Sequence, residues 1–586
     1  MKSSVPGQFA ITLAALFIGS HIMLEENIPL NQGGRLVAGE YDRPAANRHQ
    51  SRSAVVAKYG IVATSQPLAA QVGLDILQKG GNAADAAIAT SAMMGLVEPM
   101  SCGIGGDLFC IYWDAKTEKL YGLNASGRSP YALTRDVFKE KELTEIPTSG
   151  ILPWSVPGCV DGWSELRERF GSMQLSELLA PAVHYADDGF PVSEIIAGYW
   201  RQGEGRLDDW PNTEATYYPG GKAPRAGEIF KNPRLAASYK AIAQQGRDAF
   251  YKGSIAKRIV EFSQKNGGYF SMRDFEDHAS EWVEPVSTNY RGYDVWELPP
   301  NGQGISALQM LNILEAYDLK SMGRHSADYL HLFVESKKLA FADRAKFYAD
   351  PAFNDLPVAQ LISKEYAARQ RQRIDPNQAA TDVPAGNPHM ENGDTIYLTV
   401  VDKDRNCCSF IQSNFHGFGS HMTPGDVGFV MQNRGALFAL DPEHLNTLEP
   451  HKRPFHTIIP AFVTKDGKPW FCFGVMGGDM QPQGHVQVLV NMIDFDMDAQ
   501  AAGDAGRVRH SGSQTPTGRP MDSTGGQVSV ESSIPDETVR ELEQRGHKVV
   551  RGGTSYGGYQ GIFIDHEHGT LQGGTEPRKD GAAVGY

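Results

Sequence analysis

Residues 391–402, ENGDTIYLTVVD, set a Gly-Asp pair directly before Thr395, and an alternating apolar run follows. A threonine hydroxyl is a weak nucleophile at neutral pH and needs a base beside it. Breaking the chain between Asp394 and Thr395 would supply one, because the freed α-amino group has a reference pKa of about 7.7 to 8.0, within the range useful for general-base work. One residue would then hold both nucleophile and base. Before the cut, the same hydroxyl could attack the Asp394 carbonyl in an N-to-O acyl shift, and Gly393 gives the turn the freedom this requires. Taken alone, the position also suits an ordinary strand start, since threonine is favoured in strands.

A second candidate is FGVMGGDMQPQGH, residues 473–485, where Gly477 and Gly478 sit between an apolar strand and a helical pattern. Adjacent glycines let backbone N–H groups turn towards one point, as a developing oxyanion needs; a plain strand-to-helix turn is the alternative. GTSYG, residues 553–557, formally matches the nucleophile motif G-x-S-x-G around Ser555. That motif requires a helix downstream, and GGYQGIFID reads as a strand instead. DHEHG at 565–569 lies between two strand patterns and reads as a solvated hairpin turn, so no metal site is expected. The six cysteines match neither a disulfide framework nor a zinc spacing, and are expected to be buried thiols.

These groups must be positioned by a large globular chain. The 586 residues are 41% hydrophobic and carry a net charge of -14 without an arginine-rich tract, which argues against nucleic acid as a partner. Residues 9–18, FAITLAALFI, are too short to span a membrane and fit the apolar part of a signal peptide; a periplasmic or secreted location is the corresponding expectation, and a cytoplasmic one the alternative. A polar arm follows to residue 53. SQPLAAQVGLDILQKGGNAADAAIATSAMMGLVEP predicts two helices, with Pro67 at the start of the first and Asn82 capping the second. A hairpin is predicted over 108–123, mainly helices from 160 to 350, and an exposed loop over 376–393. Strand patterns resume in TIYLTVVD, CCSFIQSN and PWFCFGV, with helices at GHVQVLVNMIDF and DETVRELEQRG. Stacked sheets covered by helices accommodate this order.

From Ala54 to Tyr586 these stretches resemble the gamma-glutamyltransferase family (gamma-glutamyltranspeptidase, or glutathione hydrolase) of N-terminal nucleophile hydrolases. The resemblance is carried by the helical pair above, EPMSCGIGGDLF, LLAPAVHYADDGFPVS, DTIYLTVVDKDRN, RPFHTIIPAFV, VMGGDMQ and the closing EPRKDGAAVGY. It implies an α+β fold, a four-layer αββα sandwich formed jointly by both parts of the chain. It further implies a proenzyme that cleaves itself into a large subunit, 54–394, and a small subunit, 395–586. Thr395 would be the nucleophile, Gly477 and Gly478 the oxyanion donors, and Ser413, in register with a family threonine, a hydroxyl that supports the nucleophile. No cofactor is implied, and the partner is a small-molecule acyl amide.

The resemblance is looser where substrate is held. Family members specific for gamma-glutamyl groups hold the α-amino group with Asn, Gln and an acidic residue, and the in-register positions here are Phe415, Arg434 and Leu437; Asn433 alone keeps an amide. A family serine pair is replaced by His456 and Thr457, and the family's carboxylate-binding arginine falls at Ser126, with Arg128 two residues on. A guanidinium at 434 would attract a carboxylate and repel an ammonium group. Gamma-glutamyl compounds such as glutathione are the default substrates that the resemblance implies. The alternatives are another acidic acyl amide, glutaryl-type or oxamate-type, or an unprocessed homologue that only binds a ligand.

Overall fold

The computed structural model describes residues 50–383, 387–388, 394–553 and 555–586. Its two main sheets use strands β1 (Val55–Ala57), β2 (Ile61–Thr64), β3 (Asp107–Asp114), β4 (Lys119–Ala125), β5 (Glu281–Val283), β6 (Val286–Tyr290) and β7 (Tyr293–Glu297). The later strands are β8 (Asp394–Val401), β9 (Cys407–Phe415), β10 (Ala461–Lys465), β11 (Lys468–Met476), β12 (Gly558–Asp565), β13 (Thr570–Thr575) and β14 (Ala582–Gly585). One sheet runs β14-β2-β8-β9-β3-β4-β5, and the other β1-β13-β12-β11-β10-β7-β6.

Alternation along β8 decides what each of its faces meets. Ile396, Leu398 and Val400 enter a core shared with helices, while Tyr397 and Val401 enter the core between the two sheets. There they meet Phe462 of β10, Cys472 of β11 and Ile562 of β12. Helices α1 (Pro67–Gln78) and α2 (Ala83–Val97) cover the outer face of the first sheet. Every residue of α2 is buried, and Asn82 caps it by accepting from the N–H groups of Ala84 and Asp85. Helices α3 (Ile305–Leu314), α4 (Ala327–Phe347) and α5 (Met480–Ile493) cover the other sheet. The layers are therefore αββα, as expected, with β8, β9 and β11 at the centre.

Strands β5, β6 and β7 fall inside the stretch that the sequence assigns mainly to helices. They are only three to five residues long, too short for a period of two to stand out. The six cysteines are free and buried, and Cys407 and Cys408 face the inter-sheet core and the helical core respectively. DHEHG forms the turn between β12 and β13. The signal-like run lies outside the described residues, as does most of 384–393. Within that loop the backbone of Asn387–Pro388 pairs with Gln514–Thr515. Among the described residues no helix is long and apolar enough to cross a membrane.

Candidate active site

Thr395 is the second residue of β8, so the alternation that sends Tyr397 between the sheets sends its side chain the same way. The facing strand fixes what lies opposite. Thr399 Oγ1 donates to Cys472 Sγ at 3.0 Å, and the Tyr397 ring packs on Gly474, where a Cβ would lie 2.4 Å from a ring carbon. One further step of two residues on both strands brings Thr395 opposite Met476 and Gly477. All three line one cavity of about 1110 Å³. Thr395 is only 1% exposed.

Its hydroxyl donates to Ser413 Oγ across the β8–β9 pair at 3.2 Å, and Ser413 Oγ also accepts the N–H of Phe415 at 2.8 Å. That second bond depends on Phe415 turning back at the end of β9 with φ of 81°, a left-handed conformation costly for a bulky residue. Asp394 pairs with Phe415 through its backbone, so the Asp394–Thr395 bond lies at this turn.

Gly477 and Gly478, with φ of 120° and 57°, carry the chain from β11 into α5. The Gly477 carbonyl accepts from Met480 N at 3.0 Å and the Gly478 carbonyl from Gln481 N at 3.2 Å. In a trans peptide the N–H points opposite the carbonyl, so the Gly478 N–H is turned away from the helix. The loop is anchored from behind. Gln303 Nε2 donates to the carbonyls of Gly478 and Thr457, at 3.0 and 2.6 Å. Arg344 of α4, fully buried, donates to Gln303 Oε1 and to Asp479 Oδ1, both at 2.6 Å. Burial would raise the Asp479 carboxyl, but Arg344 beside it holds it below the usual range.

Arg434 is fully buried, its guanidinium 4.7 Å from the centre of the Phe415 ring. It donates to Thr457 Oγ1 at 2.7 Å, while its Nε and Nη2 have no partner among the described residues. Desolvation lowers its pKa to about 9, and the charge of Asp107 opposes this only in part. Asp107 is already engaged: its carboxylate accepts from the N–H groups of Gly127 and Gly158, from Gln432 and from His456. His456 uses Nε2 on Asp107 and Nδ1 on the Ile458 N–H, and burial, helped by the Arg434 charge, pushes it down to about 3. It is a neutral imidazole with neither nitrogen left for a ligand.

The other candidate binding residues are placed elsewhere. Arg128 pairs with Glu281 at 2.8 Å and Asp350 at 3.2 Å and does not line the cavity. Asn433 is held at both ends, donating to the Thr148 carbonyl at 2.6 Å and accepting from His416 N at 3.1 Å. Ser555 lines the cavity, but strand β12 follows it rather than a helix.

Gln303, Arg344, Asp479 and Asp107 went unidentified from sequence, although Asp479 adjoins the glycine pair. A further group, His331, Glu335 and His547, brings together side chains that could hold a metal ion, with the two imidazoles 2.8 Å apart. The Lys338 ammonium already occupies Glu335 Oε1 at 2.8 Å.

Residues 69–586 match the family model for gamma-glutamyltranspeptidase. The chain is 41% identical over 535 residues to the glutathione hydrolase-like YwrD proenzyme of Bacillus subtilis, covering 91% of this chain and 99% of that one. It is 32% identical over 542 residues to an oxamate amidohydrolase proenzyme of Klebsiella pneumoniae, covering 91% of this chain and all of that one. Among solved structures, a cephalosporin acylase from Bacillus halodurans superposes with a TM-score of 0.85 at 43% identity, covering 94% of this chain and 98% of that one.

Proposed function

The chain belongs to the gamma-glutamyltranspeptidase family, and on that premise we propose that it is a proenzyme cut before Thr395 whose mature form hydrolyses amides of acyl groups ending in a carboxylate. The observation that carries this reading is Arg434: a buried cation with two unpartnered N–H-bearing nitrogens is costly unless an anion joins it. The nearby carboxylate that acts on its charge, Asp107, is engaged by donors of its own on both oxygens.

In the reaction, Thr395 Oγ attacks the acyl carbon while its freed α-amine takes the hydroxyl proton. Ser413 orients that hydroxyl, and the N–H groups of Gly477 and Gly478 face the oxyanion. The C–N bond breaks, the amine leaves with the proton, and an acyl ester on Thr395 remains for water or another amine. A gamma-glutamyl donor also carries a carboxylate for Arg434, but its ammonium group would find no acidic partner at Phe415, Arg434 or Leu437. Glutaryl-type donors therefore suit the site better.

Rates on glutaryl and gamma-glutamyl p-nitroanilides, measured side by side, test the acyl preference, and faster gamma-glutamyl turnover would overturn it. A denaturing gel tests processing: wild type should give two fragments, one beginning at Thr395, and Thr395→Ala should stay whole. An uncut wild type would favour the unprocessed, ligand-binding alternative. Export through residues 9–18 belongs to the same proposal, and the N-terminal sequence of protein recovered outside the cytoplasm tests it.

A further inference from the structure

The cavity that Thr395 lines is also walled by a small sheet of three strands, Val508–Ser511, Gln527–Val530 and Lys548–Arg551. Its register alternates. Val508, Val528 and Val530 are buried on one face, while Arg509, Ser511, Gln527 and Lys548 line the cavity, which the buried His510 also borders. Ser511 stands opposite Gln527, which stands opposite Lys548, so the wall is polar along its length.

Arg206 and Lys548, which also line the cavity, are exposed, whereas Arg509 is half-buried there. Arg578 is committed to Glu531 and Glu576, and Lys579 reaches Tyr199. Arg509 has no hydrogen bond or ion pair through its side chain among the described residues, and its Nε is buried without a partner. Burial lowers its pKa, and the field of Asp479 only partly opposes this. Its electrostatic coupling to Asp479 places it near the loop that holds Gly477 and Gly478.

The two incompletely satisfied guanidinium groups stand differently towards the cavity that Thr395 lines. Arg434 is packed on the Phe415 ring and does not line it, whereas Arg509 does, and it is through this cavity that the leaving amine must depart and water enter. We propose that Arg509 reads a carboxylate on the leaving amine, so that the preferred substrates release an amino acid, or another amine bearing a carboxylate close to its nitrogen. This rests on Thr395 as the nucleophile, and is independent of which acyl group is bound.

The test compares two substrates that differ only on the leaving side, an acyl-L-alanine and the matching acyl-L-alaninamide, using whichever of the glutaryl and gamma-glutamyl groups is turned over faster. Wild type should favour the carboxylate compound in kcat/KM by roughly 10- to 100-fold, the range for a charged hydrogen bond made or lost. Arg509→Gln should bring that ratio close to one while leaving turnover of the alaninamide and of the p-nitroanilide nearly unchanged. Arg509→Lys should keep part of the preference. A wild-type ratio near one overturns the proposal without any variant, as does a ratio that survives in Arg509→Gln. A wrong assignment of the acyl group slows both substrates alike and leaves the ratio readable, so the two failures are distinct.

Discussion

Replacing Arg434 by methionine should stabilise the folded chain and abolish use of an acidic acyl group together. Burial takes the guanidinium from an ordinary value of 12.5 down to about 9. At ~1.36 kcal/mol per pKa unit, that is roughly 5 kcal/mol against the charged form. Its compensations are one bond to Thr457 and the Phe415 ring, worth about 2 kcal/mol each, so methionine should leave a net gain of about 1 kcal/mol. Because the folded-state pKa is depressed, the penalty is present in full below about pH 9 and fades as pH rises towards 12.5. Urea unfolding in a Thr395→Ala background keeps the chain in one piece for this comparison. In the processed enzyme, turnover of a glutaryl anilide should fall by roughly 100-fold or more, the loss expected for a charge-assisted carboxylate contact, while a butyryl anilide should be spared. A clearly destabilised variant would mean that the guanidinium has a partner in the free protein. Equal loss on both anilides would mean that Arg434 acts by holding Phe415 and Ser413, not by meeting substrate.

Ser413→Ala removes one neutral hydrogen bond from Thr395 and should slow both chain cleavage and turnover by about tenfold; unchanged rates in a gel time course would remove Ser413 from the mechanism. Arg344→Met removes the ion partner of Asp479, a pair buried on the arginine side and partly exposed on the aspartate side, and should cost about 1–3 kcal/mol in a thermal or urea melt, with kcat falling because the glycine loop loses its anchor. A variant as stable as wild type would show that Gln303 alone suffices. Burial holds His456, His485 and His547 down to about 3, and His416 to about 4. Unfolded histidines take protons below about 6.5 while these folded ones do not, so stability should fall as pH drops from 7 to 5, by roughly 2 kcal/mol per group. A melting temperature that stays flat over that interval would show that these imidazoles titrate normally.

The sequence by itself determined the local elements and the reactive residue types. Periodicity and caps are short-range properties, so α1, α2, β8, β9 and the turn at Gly477 and Gly478 could be read from neighbouring residues. The motifs likewise disclosed the αββα arrangement and the candidate nucleophile. What the candidate binding residues touch was decided only by tertiary structure. Arg128 is neutralised by Glu281 and Asp350, 153 and 222 positions away, while Arg434 makes no ion pair with a carboxylate among the described residues. His456 proves to be a neutral prop for Asp107, 349 positions distant. Arg344, inside a helix that reads only as a helix, anchors Asp479 and with it the glycine loop, 135 positions away. Pairing and burial of charge depend on which strands and helices converge, and residue type carries no record of that convergence. The sequence therefore marks a threonine and several arginines, and the fold decides which arginine is paired within the protein and which is left incompletely partnered.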